Sequence, residues 1–175
     1  MSTSRIPLVP VLSGEECSAI DAFCRGRPGG SPSPELAAFL ADRFGVSLVL
    51  DPSIVEGFVT DSSNLRGSAS ALCRPASERE CAAALRACFA SGIPVTVSAG
   101  KSNLTGSATP EGGVVLSTVK LLSPAVAVDR SALLVRSPVG IIVEELRKAV
   151  LEQSGGTLAF PVDPTSRSDA TVGGA

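Results

Sequence analysis

Between Val95 and Gly113 the chain reads VTVSAGKSNLTGSATPEGG, an apolar strand running into a loop of Gly, Ser, Thr and Asn with a single Lys. These residue types suit one chemistry, the holding of phosphate oxygens. Successive backbone N–H groups on a concave bend act as donors to an anion. Glycine lets the backbone come close to a ligand, the hydroxyls of Ser102 and Thr105 add hydrogen bonds, and Lys101 brings a compensating charge. A hairpin loop that binds nothing has the same composition, because Gly and Ser are common turn residues. The loop therefore has two readings until its surroundings are considered.

Composition removes other chemistries. The sequence contains no histidine, so a Ser-His-Asp triad, a Cys-His dyad and a His-ligated metal are excluded within it; no metal site is expected. Its five cysteines (Cys17, Cys24, Cys73, Cys81 and Cys88) include no C-x-x-C pair, which argues against a disulfide framework or a zinc ribbon. Their helical spacing reads as small buried hydrophobes. A net charge of −2 with no Trp or Tyr gives neither the electrostatic footprint nor the stacking platforms of a nucleic-acid binder. No apolar run has the length of a membrane span. The N-terminal MSTSRIPLVPVLSGEE has a short apolar stretch broken by two prolines, unlike a signal peptide, and the expected setting is the cytoplasm.

The elements that must hold the loop follow from periodicity. Residues 15–25 carry Cys17, Ile20, Phe23 and Cys24 at helical spacing. GRPGGSPSP is a loop, and Pro34 opens a helix with Leu36, Phe39, Leu40 and Phe44 inward, closed by Gly45. Residues 46–52 read as a strand or buried segment and 53–68 as irregular. SALCRP is a strand stopped by Pro75. Ser77 and Glu80 form a capping box for a helix burying Cys81, Ala84, Leu85 and Cys88. Strands are expected over 93–98, 113–118 and 132–138, with a turn and a short apolar run between the last two. A final helix over 141–153 turns Val143, Leu146, Val150 and Leu151 inward. The chain then closes on TLAFPVDPTSRSDATVGGA, where a Gly-rich turn calls for a further element, so a piece of a longer protein is expected.

Three ordered segments resemble the FAD-linked oxidases, the flavoproteins that share the fold of vanillyl-alcohol oxidase and p-cresol methylhydroxylase. The first is the Arg74-Pro75 strand end, its helix and the GIPV strand of 92–95. The second is the loop AGKSNLTG (99–106), similar to the family's G-G-G-T-(G/S)-L-(S/T)-G. The third is FPVDPTSRSDATVGGA (160–175), similar to F-P-x-D-P followed by T-(I/V)-G-G-x. Gly140 matches the glycine of the family's P-G-V turn, and TDSS (60–63) fits a Y/T-x-D-x-S segment. The resemblance covers about residues 55–175 and is nearest to the D-lactate dehydrogenase and glycolate oxidase branch.

The resemblance implies an α+β fold of two small α/β subdomains of the PCMH type, with residues 1–67 as an N-terminal helical extension and 68–175 as the FAD-binding domain, its second subdomain incomplete. It implies that Gly100, Lys101, Ser102, Asn103 and Leu104 hold the FAD pyrophosphate, with Thr105 in the same loop and Gly106 bringing the next strand close to the cofactor. Pro161, Asp163 and Pro164 would line the flavin side of the cleft, although Asp163 equally suits an Asx cap. Thr171, Val172, Gly173 and Gly174 would pack along the cofactor from the opposite subdomain. Asp61 and Ser62 read as turn residues. Ala99-Gly100-Lys101 departs from the family's triple glycine. Lys101 either pairs with the pyrophosphate or blocks the site, its backbone is comfortable only at negative φ, and Asn103 is the residue better suited to a left-handed conformation.

Without histidine the flavin would be held non-covalently and would carry the redox chemistry, oxidising a 2-hydroxy acid such as D-lactate or glycolate, with an electron acceptor that the sequence does not indicate. Glu78, Glu80, Glu144 and Glu145 sit on helix surfaces, so no catalytic residue is assigned. The alternatives are a flavin-binding module that turns nothing over and a phosphate-ligand or protein-interaction domain with no flavin.

Overall fold

The computed structural model describes residues 10–175; the short apolar stretch before Pro10 lies outside them. The elements are α1 (Gly14–Cys24), α2 (Pro34–Phe44), β1 (Leu48–Val49), α3 (Pro52–Val55) with a 3-10 turn over Glu56–Phe58, β2 (Ala71–Cys73), α4 (Glu78–Ala90), β3 (Val95–Ser98), β4 (Val114–Ser117), β5 (Ala127–Asp129), β6 (Leu134–Arg136), α5 (Val143–Gln153) and a 3-10 turn over Val172–Gly174. The expected α+β class is present, with helices and sheets in two lobes.

The first lobe is a four-stranded sheet in the order β1-β2-β4-β3. β2, β4 and β3 run parallel, and β1 pairs antiparallel with β2 through Leu48↔Cys73. Alternation along the strands divides the core. Ala71, Cys73, Val114 and Leu116 face a layer made by α1, α2 and α4, whereas Leu72 and Val115 face Val55, Val59 and Phe58. Strands covered on both faces are apolar throughout, which is why ALC and VVL show no polar alternation. α1 crosses α4 closely, because α4 offers Ala83, Ala84 and Ala87, and Cys24 Sγ lies 3.9 Å from the Ala87 carbonyl. Arg79–Glu16 (2.6 Å) and Arg86–Asp21 (2.5 Å) flank this contact. Phe23 stacks on Phe39 at 4.0 Å. Burial pushes the thiol of Cys73 up to about 12 and that of Cys88 up to about 11, in keeping with their place among hydrophobic neighbours.

Local signals explain most helix ends. Ser13 and Glu16 close a reciprocal capping box on α1, Ser33 and Pro34 start α2, and Gly45 ends it at φ +74°. At α4 the Ser77 hydroxyl accepts from the Glu80 N–H, but the Glu80 carboxylate accepts from the Ala76 N–H rather than from that of Ser77. The expected box is thus shifted by one residue. Residues 53–68 are more regular than expected, because Asp51 caps α3 through the Ser53 N–H. Leu85 and Leu151 are exposed, not inward. α4 packs on its small residues, which allow closer approach than a leucine, and α5 needs only Val143, Leu146 and Val150 to cover its lobe.

The second lobe is a β5–β6 hairpin, paired through Val128↔Val135, with α5 beside it. The short apolar run expected between two strands is itself a strand. Gln153 Nε2 donates to the Val126 carbonyl and Arg130 to the Gln153 carbonyl, which tie helix end to hairpin. Ile142 at the N-cap of α5 offers no side-chain acceptor. The first amides of the helix instead donate to the carbonyls of Ala170 (from Val143, 2.9 Å) and Arg167 (from Glu144, 3.1 Å). This substitution for a cap binds residues 166–174 to the start of α5, and the Val172 and Gly173 amides donate to Ile141 and Val139. The returning segment thereby comes to face the first lobe.

Candidate functional site

β3 and β4 are parallel neighbours, so the segment between them is not a hairpin turn. It leaves the carboxyl end of β3, forms a bend, and returns along the sheet past Ser68, whose carbonyl accepts from the Gly112 N–H (2.7 Å). Ligands of open α/β sheets bind outside the carboxyl ends of the strands, and the bend over residues 99–106 stands there.

Among the described residues, none of the N–H groups from Gly100 to Gly106 donates to a backbone carbonyl. The shape of the bend is set from outside. Ser62 donates through its N–H (3.0 Å) and its hydroxyl (2.8 Å) to the Lys101 carbonyl. The Asp61 carboxylate accepts from Asn103 Nδ2 (2.8 Å), the Ala108 N–H (3.2 Å), and the Ser63 N–H and hydroxyl. The Ser63 hydroxyl first, then the Ser63 N–H, Asn103 and the Ala108 N–H hold its carboxyl well below the usual carboxylate range. Lys101 is left-handed at φ +54°, contrary to the expectation of a negative φ there and of Asn103 as the left-handed residue. Its ammonium reaches away from the bend to the Gly57 carbonyl (2.9 Å) and lies 5.2 Å from the Phe58 ring, which fixes the unusual backbone from the side-chain end.

A cavity of about 400 Å³ opens between the lobes. One wall is the bend (Ala99, Gly100, Lys101, Ser102 and Asn103, with Ala108), and the other is Val139, Ala170, Thr171, Gly173 and Gly174. Cys81, from the first turn of α4, also reaches it; burial first, then Glu78, push this thiol up. On the far side of the bend a polar cavity of about 590 Å³ is lined by Thr60, Ser62, Leu104, Thr165 and Asp169.

Of the residues singled out in the sequence, Gly100, Lys101, Ser102 and Asn103 meet Thr171, Gly173 and Gly174 across the first cavity. Leu104 faces the second. Thr105, Gly106 and Val172 line neither; Gly106, at φ +74°, directs its missing side chain at Leu65. Pro161 lies in an apolar cleft beside β6 and α5. Asp163 is paired with Arg167 (2.8 Å) and Arg147 (3.2 Å), which hold its carboxyl low. The Pro164 carbonyl accepts from the Arg167 N–H. Sequence reasoning passed over Asp61 as a turn residue, Cys81 as core and Ala170 altogether; the T-D-S-S run was the available signal for the first.

One polar group in the walls stands without a partner. Thr171 Oγ1 is buried and unpartnered, which is costly unless a ligand satisfies it. Gly100 has no room for a side chain, since a Cβ would stand 2.1 Å from the Asp169 carbonyl oxygen, and the lobes meet backbone to backbone at that point.

The comparisons with known proteins agree with this geometry. A D-lactate dehydrogenase from Anaerostipes hadrus is 27% identical over 144 residues, covering 81% of this chain and 30% of that protein. Among solved structures, an alkyldihydroxyacetonephosphate synthase superposes with a TM-score of 0.69 at 20% identity, over 83% of this chain and 29% of that one. A glucooligosaccharide oxidase from Acremonium strictum, whose FAD is described as 6-S-cysteinyl, 8α-N1-histidyl, gives 0.54 at 18% identity over 66% and 24%. At such identities the structures share the fold. The chain spans less than a third of the length of these relatives. The family model described as FAD binding domain matches residues 69–175, and the chain belongs to that family, as its resemblance to the FAD-linked oxidases implied.

Proposed function

We propose that this chain supplies the cofactor-binding lobes of a flavin-dependent dehydrogenase or oxidase that acts on a 2-hydroxy acid such as D-lactate or glycolate. The observation that carries the reading is the inter-lobe cavity, where donor groups of the bend without backbone acceptors face the unpartnered hydroxyl of Thr171. In this reading the amides of Gly100 to Leu104 and the Ser102 hydroxyl hold the pyrophosphate, and Thr171 donates from the opposite wall. Gly173 and Gly174 leave that wall without side chains, so the cofactor lies flat against backbone. When bound, FAD supplies the hydride-accepting chemistry.

Attachment is non-covalent in this reading: the chain has no histidine, and the thiol facing the cavity, Cys81, is kept protonated at neutral pH by its surroundings. The resemblance to a D-lactate dehydrogenase supports the 2-hydroxy acid. One observation favours the alternative of a binding module: among the described residues, Lys101 and Cys81 are the ionisable side chains that line the cavity, and neither is a carboxylate or imidazole suited to act as a general base. The test is titration of the purified full-length protein with FAD, followed by anaerobic addition of D-lactate, glycolate or a glucooligosaccharide. Bleaching of the flavin's visible absorption by a hydroxy acid alone supports the proposal. Binding without bleaching by any of the three favours the binding module, and failure to bind FAD defeats both.

A further inference from the structure

The family match begins at residue 69, yet the bend is held by three residues before it. Ser62 grips the Lys101 carbonyl twice, Asp61 takes the Asn103 amide and the Ala108 N–H, and Gly57 receives the Lys101 ammonium. Among the described residues the N–H groups of Gly100 to Gly106 donate to no backbone carbonyl, and the bend's own backbone bond is the one from the Thr109 N–H to the Gly106 carbonyl. We propose that Asp61, assisted by Ser62, is a positioning residue for the cofactor: it holds the donors of the bend in their binding arrangement before any ligand arrives. The inference rests on the FAD reading above and assigns a role in cofactor affinity to a segment outside the matched domain.

The physical reason is the cost of ordering. A bend with so few internal hydrogen bonds samples many backbone conformations when released, and binding would then have to restrict each residue. Anchors supplied in advance remove that cost from the binding step. Asp61 suits the task because the groups that donate to it are spread over both limbs of the bend. Asn103 lies on the outgoing limb and Ala108 on the return, and the Ser63 N–H and hydroxyl fix the carboxylate's own orientation. A residue serving only its local turn would need the Ser63 bonds and nothing else.

The experiment compares the parent chain with Asp61→Ala and Ser62→Ala, in two measurements. In the cofactor-free protein, hydrogen exchange of the two bonded amides at the return limb, Ala108 (to the Asp61 carboxylate) and Thr109 (to the Gly106 carbonyl), is expected to quicken at least tenfold in Asp61→Ala and less in Ser62→Ala, while amides in α4 and β4 keep the parent's protection. In fluorescence titrations with FAD, affinity is expected to fall on the order of tenfold in Asp61→Ala, from lost preorganisation. Faster exchange spread across α4 and β4 would mean global loosening and would overturn the assignment. So would parent-like exchange at Ala108 and Thr109, or parent-like FAD affinity. If Asp61→Ala does not fold, the same readings on Ser62→Ala decide, because that exposed hydroxyl makes one bond, to the Lys101 carbonyl. A parent chain that binds no FAD defeats the function and the positioning role together, whereas a parent that binds and variants that match it defeat the positioning role alone.

Discussion

Gly100→Ala tests whether the two lobes meet where the cavity requires. A Cβ at this position would lie 2.1 Å from the Asp169 carbonyl oxygen, 3.0 Å from its carbon and 3.4 Å from Ala170 Cα. All three atoms are backbone, and residues 166–170 are tied to the start of α5 by the Val143 and Glu144 amides, so no side chain can swing aside. Ordinary contact requires the bend and the returning segment to separate by about 1 Å. Overpacking of this kind costs about 1–3 kcal/mol, which for a chain of this size lowers the melting midpoint by roughly 3–10 °C. The same displacement stretches hydrogen bonds across the cavity beyond their working range. Loss of one charge-assisted bond, about 2 kcal/mol, weakens FAD binding roughly thirtyfold. Gly174→Ala is the control for stability: its Cβ would meet Ala99 at 3.7 Å, an ordinary contact, so the midpoint should stay with the parent's. Calorimetry and FAD titration of both variants decide the matter. A Gly100→Ala protein with the parent's melting midpoint would refute the close approach of the lobes, and unchanged affinity would remove the bend from the cofactor site.

Lys101→Gly removes left-handed strain of about 1 kcal/mol along with an exposed bond to the Gly57 carbonyl, while glycine loosens the unfolded chain. Urea unfolding should stay within about 1 kcal/mol of the parent, and a tenfold loss of FAD affinity would show that the ammonium touches the cofactor after all. Cys81 lines the cavity with its thiol pushed up, so alkylation by iodoacetamide at neutral pH should be slow and slower still with FAD bound; labelling indifferent to FAD would exclude the cofactor from that wall. The carboxyl of Asp61 is lowered in the folded chain, so its contribution is whole above the unfolded carboxylate pKa and is lost only as pH falls through the folded value. Lys101 on the bend and Asp169 across the second cavity are the nearby charges. Protection of the Ala108 and Thr109 amides, corrected for intrinsic exchange rates, should therefore hold from pH 7 down to pH 5; a decline within that interval would show that Asp61 is not the anchor.

Much of this protein is legible from one-dimensional order. The Ser33-Pro34 start and Gly45 stop of α2, the Ser77 cap of α4 and the apolar triplets of β2 and β4 are local signals, each set by backbone satisfaction or burial within a few residues. The absence of histidine and the AGKSNLTG loop set the kind of chemistry, because composition alone limits which groups are on hand. Packing decided the rest. Whether the loop is a hairpin or a parallel crossing depends on β4 inserting between β2 and β3, a choice made by long-range pairing. That Lys101 turns outward, and that Asp61 holds residues more than forty positions away, follows from the 57–63 segment lying beneath the bend. Pro161 and Asp163 stand away from the cavity while Thr171 and Gly174 line it, because the amides of α5 draw residues 166–170 back across the lobe. Hydrogen bonds between distant segments are specified by three-dimensional proximity, which residue spacing along the chain does not encode.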